Sequence, residues 1–291
     1  MPSWVPPRPS GWPTVLSNGV VHNAVELAGS MRQHTRGPTQ LDIDLAVSKT
    51  ETYRAALHEL DDWEPFLLGE SKLPGPRANL ELLHVVADEG RLEQFQSWLA
   101  MDRKHAATNT PGEFLVACGA VGLGHLAAQG QHHLLEELRR HASDPRWRVR
   151  EGVAMGLQRL GARDMPKLLK VMRDWSTGNW LERRAVVAAL CEPALLGNEA
   201  AARAVVEILD QITASLAEAP DRHLEDFRTL RQALAYGWSV AVVATPDTGK
   251  LLLEEWLNSA DPDIAWMARE NLKKNRLKQM DAAWVAGLSR A

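Results

Sequence analysis

The stretch that decides the fold is residues 144–154, which read DPRWRVREGVA. Two later stretches repeat it with variations, NWLERRAV at 179–186 and DPDIAWMARE at 261–270. Each of the three places a tryptophan three residues before an arginine, so both side chains are expected on one stripe near the start of a helix. The three stretches therefore predict equivalent helices in a repeated unit.

Apolar residues around these stretches recur every three or four positions. The spacing is that of one helical face, as in Val149, Val153, Leu157 and Leu160. Prolines fall at intervals of one or two helix lengths, and no stretch of the sequence alternates polar and apolar residues between hairpin turns. The sequence therefore predicts an all-α protein.

These residues resemble HEAT repeats, whose unit is a pair of antiparallel helices. The residues that fit the second helix of such a unit are Asp144-Pro145, Val149-Arg150 and Ala154, closed by Leu160-Gly161. The resemblance implies an α-solenoid of stacked antiparallel helix pairs, because a single pair cannot bury its apolar face. The implied pairs are 90–105 with 112–129, 131–143 with 146–160, 164–177 with 179–192, 199–218 with 223–244, and 247–259 with 263–279.

The chain divides into three parts on this interpretation. Residues 1–13 hold five of the sixteen prolines and form a Pro/Trp-rich tail. Residues 14–89 form a helical N-terminal capping region, and residues 90–291 form the HEAT-like repeat solenoid.

Composition, net charge and cysteine content limit the expected partner and compartment. With 33 Lys and Arg against 37 Asp and Glu, the formal charge of −4 gives no overall cationic field for a nucleic acid or a membrane. Cys118 and Cys191 lie among apolar helical residues, which predicts reduced thiols and a cytoplasmic protein. The longest apolar-plus-glycine run, 114–124, is too short to span a bilayer, so no membrane partner is expected.

Familiar catalytic motifs are absent from the sequence. It contains no His-Glu-x-x-His, no Gly-x-Ser-x-Gly and no paired Cys-x-x-Cys. The stretch ATPDTGK at 244–250 lacks the first glycine of a phosphate loop and the hydroxyl residue after its lysine. We therefore predict no catalytic residue, no metal site and no cofactor, and a binding protein rather than an enzyme.

Positive charge is concentrated in the middle of the chain. Residues 139–184 hold twelve Lys and Arg against five Asp and Glu. If the second helices of the pairs line a concave groove, their cations and tryptophans face a partner. The predicted partner-binding or nucleic-acid-binding residues are Arg146, Trp147, Arg148, Trp180, Arg183, Arg184, Arg228, Trp266, Arg269 and Lys273.

One segment resembles a second family. Residues 175–186, WSTGNWLERRAV, are similar to the Trp-Leu-x-Arg-x-Ala segment of the HEAT-like bacterial alkylpurine DNA glycosylases. The resemblance implies that Trp180 and Arg183 face DNA. That family's catalysis needs a carboxylate beside tryptophans on an earlier repeat, whereas the earlier helix at 113–129 has neither Trp nor Asp. The alternative is therefore a DNA- or RNA-binding relative without the catalytic Asp; any enzymatic activity would be glycosylase-like.

The preferred interpretation is a non-catalytic HEAT-repeat scaffold for a protein partner that the sequence does not identify, with nucleic acid left open. Arg150 is predicted to be structural, through Asp144, whereas Arg148 is turned by about 200° around the helix and is predicted to reach a ligand. Trp147, Trp180 and Trp266 retain a second interpretation as wedges between helical layers.

Overall fold

The computed structural model of the protein describes residues 40–288. The predicted tail at 1–13 and residues 14–39 of the predicted capping region lie outside the described residues, as do residues 289–291. The structure is 75% helical, and no strand occurs between residues 40 and 288. The all-α prediction is confirmed.

Fifteen α-helices and two short 3-10 helices make up the described part of the chain. The α-helices are α1 (Gln40–His58), α2 (Glu64–Glu70), α3 (Leu80–Glu89), α4 (Leu92–Leu99), α5 (Pro111–Ala128), α6 (Leu134–His141), α7 (Trp147–Arg163), α8 (Met165–Trp175), α9 (Trp180–Leu190), α10 (Glu199–Ala214), α11 (Glu225–Ala244), α12 (Pro246–Leu257), α13 (Pro262–Leu272), α14 (Asn275–Met280) and α15 (Ala282–Leu288). The 3-10 helices are Pro193–Leu195 and Ser215–Glu218.

The odd-numbered helices from α3 to α13 contact one another in series. Helix α5 packs on α3 and α7, α9 lies between α7 and α11, and α13 packs on α11. Among the even-numbered helices, α10 contacts both α8 and α12. Trp147, Arg148, Trp180, Arg183 and Arg228 lie in the first turns of α7, α9 and α11, which are neighbours in this series.

Short polar side chains start many of these helices. Asn179 accepts hydrogen bonds from the backbone N–H groups of Leu181 and Glu182 at 3.0 and 2.9 Å, before α9. Asp164 and Asp261 cap α8 and α13 in the same way, because their oxygens satisfy N–H groups that have no partner within the helix. The helix starts are therefore encoded locally.

Helix α5 runs through the middle of the core. Its residues from Glu113 to Gly124 are all buried. It is the one described helix long and apolar enough to cross a membrane by length and composition, but 72% of it is buried inside the fold. Its glycines permit close packing, since a Cβ on Gly124 would lie 2.2 Å from the Cα of Gly156 in α7.

One predicted helix is interrupted. The stretch 263–279 forms two helices, because α13 ends at Leu272 and α14 begins at Asn275. Lys273 and Lys274 lie in the connection. Just before it, the side chain of Asn271 donates to Leu234 O at 3.0 Å and accepts from the Ser239 N–H at 2.8 Å, both in α11. This break brings Lys274 and Arg276 against Tyr236 of α11.

Candidate binding surface

Arg146 holds the loop before α7 and does not face a partner. The residue is 4% exposed, and its side chain donates to the Asp144 carboxylate at 2.9 and 2.7 Å. It also donates to the backbone oxygens of Met101 and Ala106 at 3.1 and 3.2 Å. The hydrogen bonds to Asp144 raise the pKa of Arg146, and they make Arg146, rather than Arg150, the partner of that carboxylate.

Arg148 is also internal, and the prediction that it reaches a ligand is wrong. It is 6% exposed, forms an ion pair with the fully buried Glu113 of α5 at 3.0 Å and donates to Gly75 O at 2.8 Å. Its guanidinium lies 4.3 Å from the ring centre of Trp147. The helix is rotated so that Arg148 faces α5, whose Glu113 would otherwise be an uncompensated buried charge.

Arg150 is structural, as predicted, but it bonds main-chain oxygens. It donates to the carbonyls of Asp144 and Pro145 at 2.7 and 3.2 Å. Burial and the nearby charge of Arg184 lower the pKa of Arg150. Arg150 therefore closes the turn that starts α7.

Arg184 links α7 to α9. It is 7% exposed and forms an ion pair with Glu151, which is itself buried. Burial raises the pKa of Glu151, while the charge of Arg184 opposes that shift. Arg184 was predicted to bind a partner, and the structure places it between two helices of its own chain instead.

Trp180 and Arg183 form the stacked pair that the sequence predicts. The Arg183 guanidinium lies 4.8 Å from the Trp180 ring centre, and it donates to Ser215 Oγ at 2.9 Å. Trp180 meets Phe227 of α11 edge to face at 5.6 Å. Both members of the pair are half-buried, so Trp180 is a wedge between α9 and α11 that keeps part of its ring exposed.

The third tryptophan pairs with a different arginine from the one its spacing indicates. Trp266 lies 4.3 Å below the guanidinium of Arg231 on α11, and Arg231 forms an ion pair with Asp263. Arg269 is exposed and does not stack on Trp266 in the structure. The Trp-x-x-Arg spacing thus gives a stacked pair only at Trp180, and Arg231 was missed because its partner lies on another helix.

Three predicted site residues are exposed. Lys273 forms an ion pair with Glu270 in the preceding turn. Arg228 on α11 and Arg269 on α13 make no ion pair or side-chain hydrogen bond between residues 40 and 288. Arg228 and Arg269 are therefore exposed cations that could bind a partner.

A histidine-arginine cluster lies at the other end of the helices. Arg159 of α7 contacts Nδ1 of His125 at 2.9 Å and Nδ1 of His84 at 3.0 Å, and forms an ion pair with Asp88. Because an arginine only donates, both imidazoles accept and are neutral. Burial lowers the pKa of His84 to about 4, with the Arg159 charge adding to the effect. No pattern in the sequence predicts this cluster, because its members come from three helices.

A cationic and aromatic cluster forms where α11 meets α14. Lys274 and Arg276 both lie over the ring of Tyr236, at 5.7 and 4.7 Å from its centre. The sequence does not indicate this contact, because Tyr236 lies on another helix, far from Lys274 and Arg276 along the chain. Within the described residues no group of three His, Cys, Asp or Glu side chains is arranged to hold a metal ion.

No protein-family model matches the chain, and no curated protein matches it in sequence. The chain is weakly similar to two crystal structures of engineered proteins from the Northeast Structural Genomics Consortium. One has a TM-score of 0.28 and 15% identity, over 74% of this chain and 97% of the other. The second has a TM-score of 0.32 and 16% identity, over 89% of this chain and 68% of the other. Neither is named as a HEAT repeat or a glycosylase.

Proposed function

We propose that this chain is a HEAT-like α-solenoid that works in the cytoplasm as a non-catalytic scaffold for an acidic protein partner. The serial contacts of α3, α5, α7, α9, α11 and α13, together with the repeated sequence stretches, support the solenoid. Two free, buried cysteines, Cys118 and Cys191, support a reducing compartment.

The observation that carries the proposal is a set of arginines without carboxylate partners. Arg183, Arg228 and Arg269 lie on α9, α11 and α13, which pack in series, and none of them forms an ion pair in the part of the chain that the structure describes. We call these three residues, with Trp180, the open arginine surface. The other predicted arginines are occupied by Asp144, Glu113 and Glu151.

An acidic partner suits this surface because its carboxylates can form the ion pairs that these arginines lack within the described chain. Guanidinium groups bind carboxylates with two parallel hydrogen bonds, and Arg183 is held in place by stacking on Trp180. Tryptophan and arginine are also enriched among the residues that dominate binding energy at interfaces. The expected interface centres on Trp180 and Arg183.

Nucleic acid is the second candidate, and Trp180 and Arg183 favour it because they match the glycosylase-like segment. Nucleic-acid binding is less well supported because Arg146, Arg148 and Arg184 are buried in internal contacts and cannot reach phosphates. Each phosphate that a protein cation neutralises adds to the affinity for a duplex, so a surface with three fewer cations is expected to bind a duplex more weakly.

The test compares charge-neutralised proteins on two acidic probes. The triple variant R183Q/R228Q/R269Q removes the open arginine surface, and R103Q/R140Q/K170Q removes three exposed cations that form no ion pair between residues 40 and 288. Fluorescence anisotropy at two salt concentrations measures binding of labelled polyglutamate and of labelled duplex and single-stranded DNA.

We expect polyglutamate to bind the wild type. The first triple variant should lose about tenfold or more in affinity, since a charge-assisted contact contributes about 1.5–3 kcal/mol. The affinity of the second triple variant should stay within about twofold of the wild type. Tighter binding of DNA, with loss in the same variant, would replace the protein partner by nucleic acid. Equal losses in both triple variants, or no binding of any probe, would remove this surface as the binding site.

A further inference from the structure

The cluster at Tyr236 gathers positive charge in one half-buried place. Tyr236 lies on α11, Lys274 immediately precedes α14, and Arg276 lies in the first turn of α14, which packs on α11. The Lys274 Nζ and the Arg276 guanidinium are 5.7 and 4.7 Å from the centre of the same ring. All three side chains are half-buried, so the cluster is open to solvent on one side.

Neither cation has a carboxylate partner between residues 40 and 288. The neighbouring Lys273 is paired with Glu270, but Lys274 and Arg276 form no ion pair there. Glu192 is close enough to influence Arg276, yet it is buried and forms no ion pair with it. Two like charges held against one ring repel each other, and an anion bound between them removes that repulsion.

Hydrogen-bond donors remain available on both cations. Arg276 uses one Nη to donate to the Tyr236 hydroxyl, and its Nε and other Nη make no hydrogen bond to the described residues. Lys274 makes no hydrogen bond with its ammonium group in the same part of the chain. The planar guanidinium offers a fork of donors, and the ammonium offers a mobile point charge with three more.

We propose that Lys274 and Arg276, held on the Tyr236 ring, form a binding site for a phosphate monoester dianion. Two cations without carboxylate partners match its two negative charges, and an arginine fork beside a lysine is the donor arrangement that phosphate oxygens take. Tyr236 positions both cations through its ring and Arg276 through its hydroxyl.

Electrostatics at Lys274 agrees with the geometry. Burial lowers the pKa of Lys274, and the charges of Arg276 and Lys273 lower it further against the opposing charge of Glu270. A bound dianion reverses the sign of the local potential and raises that pKa. The site uses none of the residues of the open arginine surface, so it stands or falls independently of the proposed function.

The experiment measures binding of three probes by calorimetry at constant ionic strength. Inorganic phosphate represents the free ion, phenyl phosphate represents a monoester, and dimethyl phosphate is a diester with a single charge. The variants are K274Q and R276Q, and K278Q is the matched control because Lys278 is an exposed cation on the same helix that forms no described ion pair.

We expect phenyl phosphate to bind the wild type, and K274Q and R276Q each to lose about tenfold in affinity, since one charge-assisted contact is removed. The K278Q variant should bind as the wild type does. Binding of inorganic phosphate as tightly as phenyl phosphate assigns the site to the free ion, whereas weaker binding assigns it to an ester. Dimethyl phosphate binding equally well, equal loss in K278Q, or no saturable binding would overturn the proposal.

A measurement on the unaltered protein covers the case in which R276Q does not fold. Titration of the lysine ammonium groups by NMR, with and without phenyl phosphate, should show the pKa of Lys274 rising on addition and that of Lys278 unchanged. No change at Lys274 would contradict the site.

Discussion

At the scale of single residues, the ion pair between Arg148 and Glu113 is the most deeply buried of those that the predicted site residues form. Glu113 is fully buried, and it accepts from Arg148 at 3.0 Å and from the Asn109 N–H at 2.7 Å. We expect Arg148→Ala to lower the free energy of unfolding by about 3–5 kcal/mol, because it leaves a buried carboxylate without its cation. Urea denaturation followed by circular dichroism measures the change.

The control for Arg148 is Arg140, an exposed cation without an ion pair in the described chain. Arg140→Ala should change the free energy of unfolding by less than about 0.5 kcal/mol. The double variant E113Q/R148M should recover part of the loss, since it removes both charges together. An Arg148→Ala protein as stable as Arg140→Ala would show that the pair adds nothing.

His84 makes stability depend on pH. Burial lowers its pKa from 6.5 to about 4, with the charge of Arg159 acting in the same direction and the charges of Asp88 and Glu81 opposing it. The unfolded chain therefore binds a proton more readily than the folded chain, so His84's contribution to stability is lost as pH falls from about 6.5 toward 4. The pKa of His125 is lowered in the same direction.

We expect the melting temperature of the wild type to fall between about pH 7 and pH 5, and to fall less in His84→Asn, because asparagine accepts from Arg159 without titrating. Thermal denaturation across that range measures the slope. Identical slopes in the two proteins would assign the pH dependence to other groups.

The sequence does not predict which way the arginine side chains of α7 point. Neighbouring positions on a helix differ by about 100°, so a small error in rotation exchanges an inward arginine for an outward one. Arg148 and Arg150 show this: Arg150 was predicted to be structural and Arg148 to reach a ligand, but the direction of Arg148 depends on Glu113, which is 35 residues away. Contacts within one turn, such as Arg183 on Trp180, were predictable because both partners are on the same helix.

At the scale of helices, the contact between α5 and α7 depends on two glycines. A Cβ added to Gly124 would lie 2.2 Å from Gly156 Cα, a distance that only backbone movement relieves. A Cβ on Gly156 would lie 3.0 Å from Ala120 O and from Gly124 Cα. We expect Gly124→Ala to destabilise the protein by about 1–3 kcal/mol or more through overpacking, and Gly156→Ala to cost less.

The matched control for these variants is Gly197→Ala, whose added Cβ meets no atom within 4 Å. Its free energy of unfolding should stay within about 0.5 kcal/mol of the wild type. Chemical denaturation of the three variants gives the ranking. A Gly124→Ala protein no less stable than Gly197→Ala would mean that α5 and α7 separate at little cost.

Helix boundaries were the features of the fold that could best be predicted from the sequence. Predicted helices at 146–160, 179–192 and 223–244 correspond to α7, α9 and α11, because caps such as Asn179 and first-turn prolines are local signals. The division of 263–279 into α13 and α14 was missed. It accompanies the packing of Asn271 against α11, a contact between distant parts of the chain that a helical pattern does not reveal.

At the scale of the whole molecule, the buried apolar residues form a continuous cluster from Tyr53 to Val285. Cys118 and Cys191 are free and buried within it, and burial raises the pKa of each thiol, that of Cys191 to about 12. The two cysteines therefore report on different parts of one core, since Cys118 lies in α5 and Cys191 ends α9.

We expect a thiol reagent to modify neither cysteine at an appreciable rate in the native protein, and both together when the core opens, because thiolate is the reactive form and neither sulfur is accessible. Mass spectrometry of protein labelled at increasing urea concentrations measures each site. Modification of one cysteine well before the other would show that the core opens in parts.

The contact between Gly124 and Gly156 also limits how this sequence can drift over evolutionary time. A side chain at either position has to displace the backbone of the opposite helix, so neither position can accept a larger residue while the helices keep their spacing. In related sequences that share the fold, we expect these two positions to change together or to stay glycine, while exposed positions such as 140 and 197 vary freely.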